Sequence, residues 1–405
     1  MTAEIPRSPW SGNADEAELA RWTAVAEEAA AALAVDALER DRANLDPHRE
    51  LQLLRDAGLV TLLDPAEHGG GGAHWETAFK VVRVLSRVDS SVAQVLAYHY
   101  INESNIGFTA PPAEQAAWFR RTVEGRWVWG DSVNPVDPDL VLTPDGDGWR
   151  LNGLKRFSTG SSVGDVLLVN AVVRGGDEDG RSLMFLLEHG REGVQYLGDW
   201  DFLGQRLSSS GSVGYADVPV RREDVLGALG DEPFSTLITP GIQLAFGNIY
   251  LGIAEGALAR GRELTLARTN AWFLSTAERY AEDPFVQRVY GELASRVAAV
   301  EALADRASRR FDDTLAFGAE LTAEQRGALE IEVAKLKVVS TEVGVEVANR
   351  IYETTGSSSA RSSVGLDLFW RNIRTHSLHD PVDYKKLEVG ANYLTGILQP
   401  ISLYT

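Results

Sequence analysis

The spacing of hydrophobic residues divides the chain into three blocks. In residues 15–125, and again from residue 240 onward, apolar positions recur at the three- and four-residue spacing of amphipathic helices. In the middle block, residues 127–229, short runs rich in Val, Leu, Trp and Phe alternate with turn signals such as the Asp-Gly-Asp-Gly of residues 145–148. The pattern therefore predicts helices, then antiparallel strands, then helices again.

This order of elements predicts the α+β fold class and a division into domains. We expect an N-terminal helical domain over residues 1–125, a β-barrel-like domain over residues 126–234 and a C-terminal four-helix-bundle domain over residues 235–405. A chain of 405 residues, 44% of them hydrophobic, holds more apolar material than one compact core usually takes up. More than one packed core is therefore expected.

The composition narrows the classes of function. The net charge is -19 and no basic stripe is present, so a nucleic-acid partner and an anionic membrane surface are both disfavoured. The absence of cysteine excludes disulfides, a thiol nucleophile and cysteine-ligated metals. Residues 1–9 lack a signal-peptide pattern, and the longest apolar run, near residues 166–173, is too short to cross a bilayer. We therefore expect a cytoplasmic protein.

Several short motifs carry little weight alone. Residues 160–164 match the Gly-x-Ser-x-Gly elbow of serine hydrolases, but a strand-like run follows where that elbow needs a helix. His68 and His74 lack a clear metal-ligand spacing, so no metal site is expected. The hydroxyl-rich runs at 208–212 and 354–363 either bind a phosphate or are ordinary loops. The chain contains neither a Gly-x-Gly-x-x-Gly fingerprint nor a P-loop.

Two of the seven histidines lie three residues apart near the C-terminus. His376 and His379 share one face of a predicted helix, and Pro381 is expected to end that helix near His379. A helix C-terminus favours positive charge, so we expect the imidazoles to be biased toward carrying a proton. The pair is either an acid/base and hydrogen-bonding pair or a pair of packed core histidines. The spacing does not decide between these two interpretations.

Longer segments resemble a known family. Residues 62–70 (LLDPAEHGG), 151–159 (LNGLKRFST) and 212–220 (ending in Asp-Val-Pro-Val) resemble the acyl-CoA dehydrogenase superfamily. The C-terminal segment 369–382, FWRNIRTHSLHDPV, is similar to one branch of it, the flavin-dependent monooxygenases typified by bacterial dibenzothiophene monooxygenase. Residues 248–254 and Gly130 also fit that branch, and the resemblance covers nearly the whole chain.

The resemblance implies the oxygenase component of a two-component flavin-dependent monooxygenase. In such an enzyme a separate NAD(P)H-dependent reductase supplies the reduced flavin, more often FMN than FAD. Dioxygen then forms a flavin C4a-hydroperoxide, which transfers one oxygen atom. The implied substrate is a small apolar aromatic or heteroaromatic molecule, oxygenated at sulfur, nitrogen or carbon. The superfamily usually assembles as a homotetramer.

Two other classes of protein stay open at this point. An acyl-CoA dehydrogenase or oxidase needs a carboxylate base, and that family commonly has a glutamate near the position of Asp380. Asp380 is one methylene shorter and precedes Pro381, so this role is disfavoured. A helical scaffold without catalytic activity would keep the fold but would not retain flavin.

The resemblance also implies which residues form the site. The implied catalytic residues are His379, His376, His99 and Thr159. The implied cofactor-binding residues are Asp131, Ser132, Asn134, Ser158, Thr159, Arg288 and Arg371. Arg288 fits an arginine that reaches the flavin phosphate from a neighbouring subunit, and His379 is the residue expected to contact the hydroperoxide.

Asp131 departs from the branch, which has an asparagine near this edge of the flavin. A carboxylate cannot donate a hydrogen bond as an amide does, and it brings negative charge to the ring. Either Asp131 contacts the flavin despite this change, or it points elsewhere and Ser132 or Asn134 takes its place.

Overall fold

The computed structural model describes residues 9–10, 12–133, 140–228 and 230–401. Asn134, one of the predicted cofactor-binding residues, lies outside the described residues. Within the described chain, helices, a sheet and further helices follow one another in the predicted order. The α+β fold class is therefore confirmed.

The helices before the sheet include one that is buried along its whole length, α5. The described chain has seven of them: α1 (Glu16–Ala34), α2 (Ala37–Ala43), α3 (His48–Asp56), α4 (Trp75–Ser86), α5 (Ser90–Glu103), α6 (Asn105–Phe108) and α7 (Pro112–Gly125). The side chain of Asp89 caps α5 by accepting a hydrogen bond from the Val92 N–H group. Every residue of α5 is buried, so its side chains contact neighbours on all sides.

The eight strands of the described residues form one mixed sheet. They are β1 (Trp129–Ser132), β2 (Val141–Asp145), β3 (Gly148–Lys155), β4 (Val166–Val173), β5 (Ser182–Glu188), β6 (Val194–Tyr196), β7 (Val213–Val220) and β8 (Val225–Ala228). Their order is β6-β7-β3-β2-β4-β5-β8, with β1 paired to β4.

The expectation of antiparallel strands holds for most of this sheet but not for all of it. Strand β4 pairs parallel with both β1 and β2, whereas the other pairings are antiparallel. Turn signals along the sequence reveal hairpins between consecutive strands, but they carry no information about pairings between distant strands. The parallel pairing of β1 with β4 matters because it places the end of β1 beside the polar site described below.

Six helices follow the sheet in the described chain. They are α8 (Ile238–Leu266), α9 (Pro284–Leu315), α10 (Ala323–Arg350), α11 (Tyr352–Thr355), α12 (Asp367–His376) and α13 (Val382–Thr395). Helix α8 lies against α4, and glycine permits the close approach. A β-carbon at Gly252 would lie 2.3 Å from the carbonyl oxygen of Arg83, and one at Gly256 would lie 2.1 Å from that of Arg87. Larger residues at these positions would push the two helices apart.

Helix α8 corrects one expectation about apolar segments. The stretch Ser235–Leu266 is long and apolar enough to cross a membrane, so the run near residues 166–173 is not the longest apolar segment. The most apolar window of that stretch is 89% buried inside the protein. The apolarity of α8 therefore reflects its central position in the helical core.

The described chain contains two hydrophobic cores. One core extends through the helices that precede the sheet in the chain and those that follow it, from Trp10 to Ile373. A second core belongs to the sheet and includes Leu142, Val169 and Phe185. The candidate site lies where α5, α8, α10, the end of α12 and strand β1 meet.

Candidate active site

Thr159 joins three parts of the fold through polar contacts. Its Oγ1 atom lies 2.9 Å from the Oγ atom of Ser210 and 3.2 Å from the Nε2 atom of Gln94 on α5. Its carbonyl oxygen accepts a hydrogen bond of 2.8 Å from the N–H group of Asp131 on β1. The side chains of Thr159 and Asp131 are both buried. The structure therefore brings these two predicted site residues together.

A second set of hydroxyl groups lies beside Thr159. The Oγ atom of Ser132 is 3.3 Å from that of Ser158 and 2.7 Å from the hydroxyl oxygen of Tyr215. All three side chains are buried. Ser132 and Ser158, two of the residues predicted to bind the cofactor, thus lie next to each other, and Tyr215 is a neighbour that the sequence did not indicate.

The carboxyl group of Asp131 is only partly satisfied. Burial raises the pKa of the Asp131 carboxyl to about 7, although the Val133 N–H group and the charge of Lys155 both oppose this shift. Among the described residues, the Oδ1 atom of Asp131 has no hydrogen-bond partner. A carboxyl group with a pKa this high is partly protonated near neutral pH, so it can donate a hydrogen bond that a carboxylate cannot.

Tyr98 and Phe246 connect this polar region to the C-terminal histidines. The rings of Tyr98 on α5 and Phe246 on α8 stack with centroids 5.9 Å apart. The ring of Phe246 in turn lies 4.7 Å from that of His376 and 4.8 Å from that of His379. An apolar wall therefore runs between the Asp131 region and the histidine pair.

His376 is the last residue of α12, and its side chain is buried. Its Nδ1 atom lies 2.9 Å from the hydroxyl oxygen of Tyr250, which also lies 3.0 Å from the carbonyl oxygen of His376. Its Nε2 atom is buried and has no partner among the described residues. The helix ends three residues earlier than the sequence predicted, although both imidazoles do pack side by side, with ring centroids 5.9 Å apart.

The expected bias of His376 toward a positive charge is wrong. Burial, together with the nearby His379 and Lys337, lowers the pKa of the His376 imidazole well below its usual range, although Asp380 opposes the shift. The favourable field of a helix C-terminus is worth less than the cost of burying an unpaired cation. His376 is therefore a neutral imidazole at physiological pH.

His379 lies at the more exposed side of the pair. Its Nδ1 atom is 3.3 Å from the Oδ1 atom of Asp380, and the same oxygen lies 2.8 Å from the Nζ atom of Lys337. Burial alone would raise the pKa of the Asp380 carboxyl, but the hydrogen bond from His379 and the charge of Lys337 hold that pKa well below its usual range. Asp380 is therefore an ionised group that accepts from His379 and Lys337 through Oδ1 and from Gln243 through Oδ2 at 3.5 Å.

His99 does not reach this site. Its Nδ1 atom accepts a hydrogen bond of 3.1 Å from the N–H group of Trp129, so its Nε2–H group must donate to the carbonyl oxygen of Val60 at 2.6 Å. Burial lowers the pKa of the fully buried His99 imidazole to about 4. Because both ring nitrogens bind backbone groups, the geometry does not support the predicted catalytic role, and His99 connects β1 to the chain after α3.

We expect His99→Ala to damage the fold rather than the chemistry. The substitution leaves the N–H group of Trp129 and the carbonyl group of Val60 buried without this partner, which should lower the free energy of unfolding by about 1–3 kcal/mol. Chemical unfolding measures this loss, and flavin affinity serves as the second readout. A variant of undiminished stability that has lost flavin binding or turnover would restore the catalytic interpretation.

The two predicted arginines lie elsewhere. Arg371 donates to the Oδ2 atom of Asp41 at 2.6 Å, to Asp367 at 2.8 Å and to the carbonyl oxygen of Leu203 at 2.9 Å. These contacts hold α12 against α2 and the loop before β7, so the geometry does not support cofactor binding by Arg371 within one subunit. Arg288 lies exposed on α9.

Besides Tyr215, four residues of the site were not predicted from the sequence: Gln94, Phe246, Tyr250 and Lys337. Two of them follow helical spacing, because Gln94 lies one turn before Tyr98 and Phe246 lies one turn before Tyr250. Among the aromatic residues, Tyr98 lies in the site, whereas three others lie outside it. Trp272 and Phe273 are exposed, and Trp200 stacks on Phe202.

Sequence comparison identifies the family to which this chain belongs. A sequence model of the family described as "Acyl-CoA dehydrogenase, N-terminal domain" matches residues 15–126, and one described as "Acyl-CoA dehydrogenase, C-terminal domain" matches residues 244–384. The chain is 38% identical over 372 residues to the probable FMNH2-dependent monooxygenase SfnC of Pseudomonas putida. That match covers 91% of this chain and 93% of SfnC.

Solved structures agree with the sequence relatives. The methanesulfinate monooxygenase MsuC of Pseudomonas fluorescens superposes with a TM-score of 0.91 at 36% identity, over 95% of this chain and 99% of MsuC. TdsC of Paenibacillus sp. A11-2, a dibenzothiophene monooxygenase, has been solved in complex with FMN and indole. That complex also gives a TM-score of 0.91 at 36% identity, over 95% of this chain and all of TdsC. The chain belongs to the acyl-CoA dehydrogenase superfamily and, within it, to the branch of flavin-dependent monooxygenases.

Proposed function

We propose that this protein is the oxygenase component of a two-component monooxygenase. It would use reduced FMN and dioxygen to insert one oxygen atom into a small organic substrate. The observation that carries the proposal is a pair of buried polar atoms, Asp131 Oδ1 and His376 Nε2, that have no partner within the described part of the chain and lie on either side of the apolar wall of Tyr98 and Phe246. Such atoms cost free energy unless a ligand satisfies them.

The donor set fits a flavin. An isoalloxazine ring presents carbonyl and nitrogen atoms along one edge and apolar faces on both sides. Asp131, Thr159 and the hydroxyl groups of Ser132 and Ser158 would hold the polar edge, while the aromatic wall would exclude water. The orphaned Oδ1 atom of Asp131 is the specific feature that supports this fit.

The two histidines would act on the side of the site where oxygen and substrate react. Reduced FMN, when bound, supplies the activation of dioxygen. His379 would donate a hydrogen bond to the oxygen that is transferred, because Asp380 orients its ring through Nδ1. His376 would hold its free Nε2 atom toward the same reaction from a buried position.

The geometry of Asp380 supports an oxygenase over an acyl-CoA dehydrogenase or oxidase. A base for carbon acids needs a carboxylate that is free to take up a proton. Asp380 instead binds Lys337 at 2.8 Å and His379 at 3.3 Å, and its pKa is held well below its usual range by its hydrogen bond from His379 and by Lys337 against the effect of burial.

We propose an apolar aromatic or heteroaromatic substrate. The support is the aromatic lining by Tyr98, Phe246 and Tyr250, together with the indole bound to TdsC. MsuC, at the same identity to this chain, acts on methanesulfinate, so a small sulfur oxyacid is the second candidate class. The turnover assay identifies which atom is oxygenated: sulfur, nitrogen or carbon.

The working enzyme would need further partners. We propose that a separate NAD(P)H-dependent reductase supplies reduced flavin, and that the protein is a cytoplasmic homotetramer without nucleic-acid or membrane partners. Exposed apolar side chains support the assembly: on and near α13 they are Tyr384, Leu387, Tyr393, Leu394 and Ile397, and after α8 they are Trp272, Phe273 and Leu274. Arg288 is exposed, as is Phe285 one turn earlier on α9, so its side chain is accessible to a neighbouring subunit.

The proposal is tested by binding and turnover with one preparation of the protein. We expect reduced FMN to bind more tightly than reduced FAD, and we expect an aromatic heterocycle such as indole or dibenzothiophene to be oxygenated when reduced FMN and oxygen are supplied. Methanesulfinate is the parallel substrate for the second class. Bleaching of bound oxidised flavin by an acyl-CoA, with no reductase present, would support the dehydrogenase alternative instead. Failure to retain any flavin would indicate a scaffold without catalytic activity.

A further inference from the structure

A buried lysine lies between the partners of both site histidines. Lys337 on α10 is completely buried, and its Nζ atom lies 2.8 Å from Asp380 Oδ1 and 3.4 Å from the hydroxyl oxygen of Tyr250. Asp380 binds His379, and Tyr250 binds His376. One cation is thus connected to the two imidazoles through one intermediate group each.

We propose that Lys337 is a positioning residue that sets the protonation of both site histidines. Through Asp380, it places a proton on Nδ1 of His379. Through Tyr250, whose hydroxyl oxygen contacts Nδ1 of His376, it keeps the His376 imidazole neutral.

The first half of this assignment follows from charge balance. The ammonium group of Lys337 neutralises Asp380 inside the protein, so Asp380 can stay ionised although it is largely buried. An ionised carboxylate only accepts hydrogen bonds, so the Nδ1 atom of His379 must be the donor in their contact. The Nε2 atom of His379 is then the one available to the reaction.

The second half follows from the position of Tyr250. Its hydroxyl oxygen accepts from Lys337 at 3.4 Å and donates its single proton to the carbonyl oxygen of His376 at 3.0 Å, while Nδ1 of His376 lies 2.9 Å from the same oxygen. The ammonium group of Lys337 is therefore separated from the His376 ring by one hydroxyl group, and a second proton on that buried imidazole would face this cation. Lys337 thus disfavours the charged form of His376.

The ring stacking of the site reinforces the placement of this cation. The Nζ atom lies 4.5 Å above the centroid of the Phe246 ring and 5.2 Å from that of Tyr250. Phe246 is also the ring on which both histidines pack. Removing Lys337 therefore alters the electrostatics of the pair without removing a group that contacts substrate.

The electrostatic neighbours of His376 come from several elements. They are Tyr250 from α8, Lys337 from α10, His379 and Asp380 from the turn after α12, and Lys385 of α13 through its effect on Lys337. The pKa of the His376 imidazole is lowered most by burial and then by His379 and Lys337, whereas Asp380 raises it. Loss of Lys337 should therefore raise that pKa.

The test measures hydrogen exchange at the ring C2 position of each histidine by mass spectrometry, over a range of pH, on flavin-free protein. In Lys337→Met we expect the exchange midpoint of His376 to rise by about one pH unit relative to the unmodified chain. Lys337→Gln, which keeps hydrogen bonds but not the charge, should show the same rise and carries the test if the methionine variant does not fold. An unchanged midpoint in a folded variant would overturn the proposal.

Lys385→Met is the matched control. Lys385 is also a buried lysine, and it pairs with Glu330 at 2.6 Å and Glu388 at 3.1 Å. We expect it to lose stability and leave the His376 midpoint in place. An equal shift in both variants would mean that any buried charge acts this way, which contradicts a specific role for Lys337.

A second readout rests on the proposed function. In Lys337→Met the yield of oxygenated product per reduced FMN consumed should fall about tenfold, with partial recovery in Lys337→Gln. The pH profile of that yield should move in the same direction as the exchange midpoint. If no substrate is oxygenated by the unmodified chain, the proposed function fails, while the exchange experiment still decides the role of Lys337.

Discussion

His379→Ala is expected to uncouple the consumption of reduced flavin from oxygenation of the substrate. The imidazole of His379 packs on Phe246 and is oriented by Asp380, so it is the group we place against the oxygen that is transferred. Loss of a positioned proton donor typically costs about 10²-fold or more. We therefore expect the yield of product per reduced FMN to fall about 100-fold, with the oxygen released as hydrogen peroxide.

Flavin binding separates this prediction from a general loss of structure. His379 is the more exposed of the two histidines, with 41% of its side chain accessible, so its removal should leave the core and the affinity for FMN nearly unchanged. The measurement is product and hydrogen peroxide per reduced FMN, with FMN affinity as the control. A variant that still couples as well as the unmodified chain would remove His379 from the mechanism.

Asp131→Asn is expected to abolish a pH dependence of FMN binding. Burial raises the pKa of the Asp131 carboxyl to about 7, against the opposing Val133 N–H group and Lys155. Below that pH the carboxyl group is neutral and donates a hydrogen bond, whereas above it the group is ionised and only accepts. If only the neutral form binds the flavin well, the dissociation constant of the unmodified chain rises about tenfold per pH unit above the pKa.

The comparison of the two dissociation constants isolates the carboxyl group. An amide donates at every pH, and the ratio of the constants for the unmodified chain and Asp131→Asn cancels the titration of FMN itself. We expect this ratio to be flat at low pH and to rise above neutrality. A ratio that does not change with pH would mean that Asp131 points away from the flavin, leaving Ser132 or Asn134 to serve its edge.

The free energy of unfolding should depend on the protonation of the same carboxyl group. Because the folded state holds this proton more tightly than the unfolded chain does, the stabilisation is complete below the ordinary carboxyl pKa and is lost as the pH rises through about 7. Asp312 provides a matched control, since burial also raises the pKa of its carboxyl to about 7 but it binds the N–H groups of Trp75 and Glu76 instead. Asp312→Asn should alter stability and leave the ratio of FMN constants unchanged.

Periodicity predicted the large features of the fold because each depends on local sequence. The helical blocks, the strand-rich middle and the helix that carries His376 all follow from spacing and turn residues. The parallel pairings of β4 could not be read in this way, since they join strands distant in sequence. The domain boundaries at 125/126 and 234/235 stay a prediction.

The site was predictable only as far as its motifs extended. His376, His379, Thr159 and Asp131 lie in segments that resemble a known branch, and the structure groups them around Phe246 and Tyr98. The side chain of His99 is not among them: a helix turns about 100° per residue, so it leaves α5 in a different direction from Tyr98 and contacts the backbone of Trp129 and Val60.

Contacts between distant segments account for the remaining differences. Arg371 is held by Asp41, which lies 330 positions away in the sequence. The ion pair of Lys337 and Asp380 spans 43 positions. No spacing rule brings such residues together, because their contact depends on how complete helices pack.

The proposed function requires that one atom of dioxygen enters an organic substrate at this site. The direct measurement supplies the purified chain with chemically reduced FMN, an aromatic heterocycle and ¹⁸O-labelled dioxygen, and analyses the product by mass spectrometry. We expect a product that carries one ¹⁸O atom derived from dioxygen and none from water, and that is lost with His379→Ala. Flavin reoxidation that yields only hydrogen peroxide with every aromatic and sulfur substrate offered, or a product whose oxygen comes from water, would contradict it.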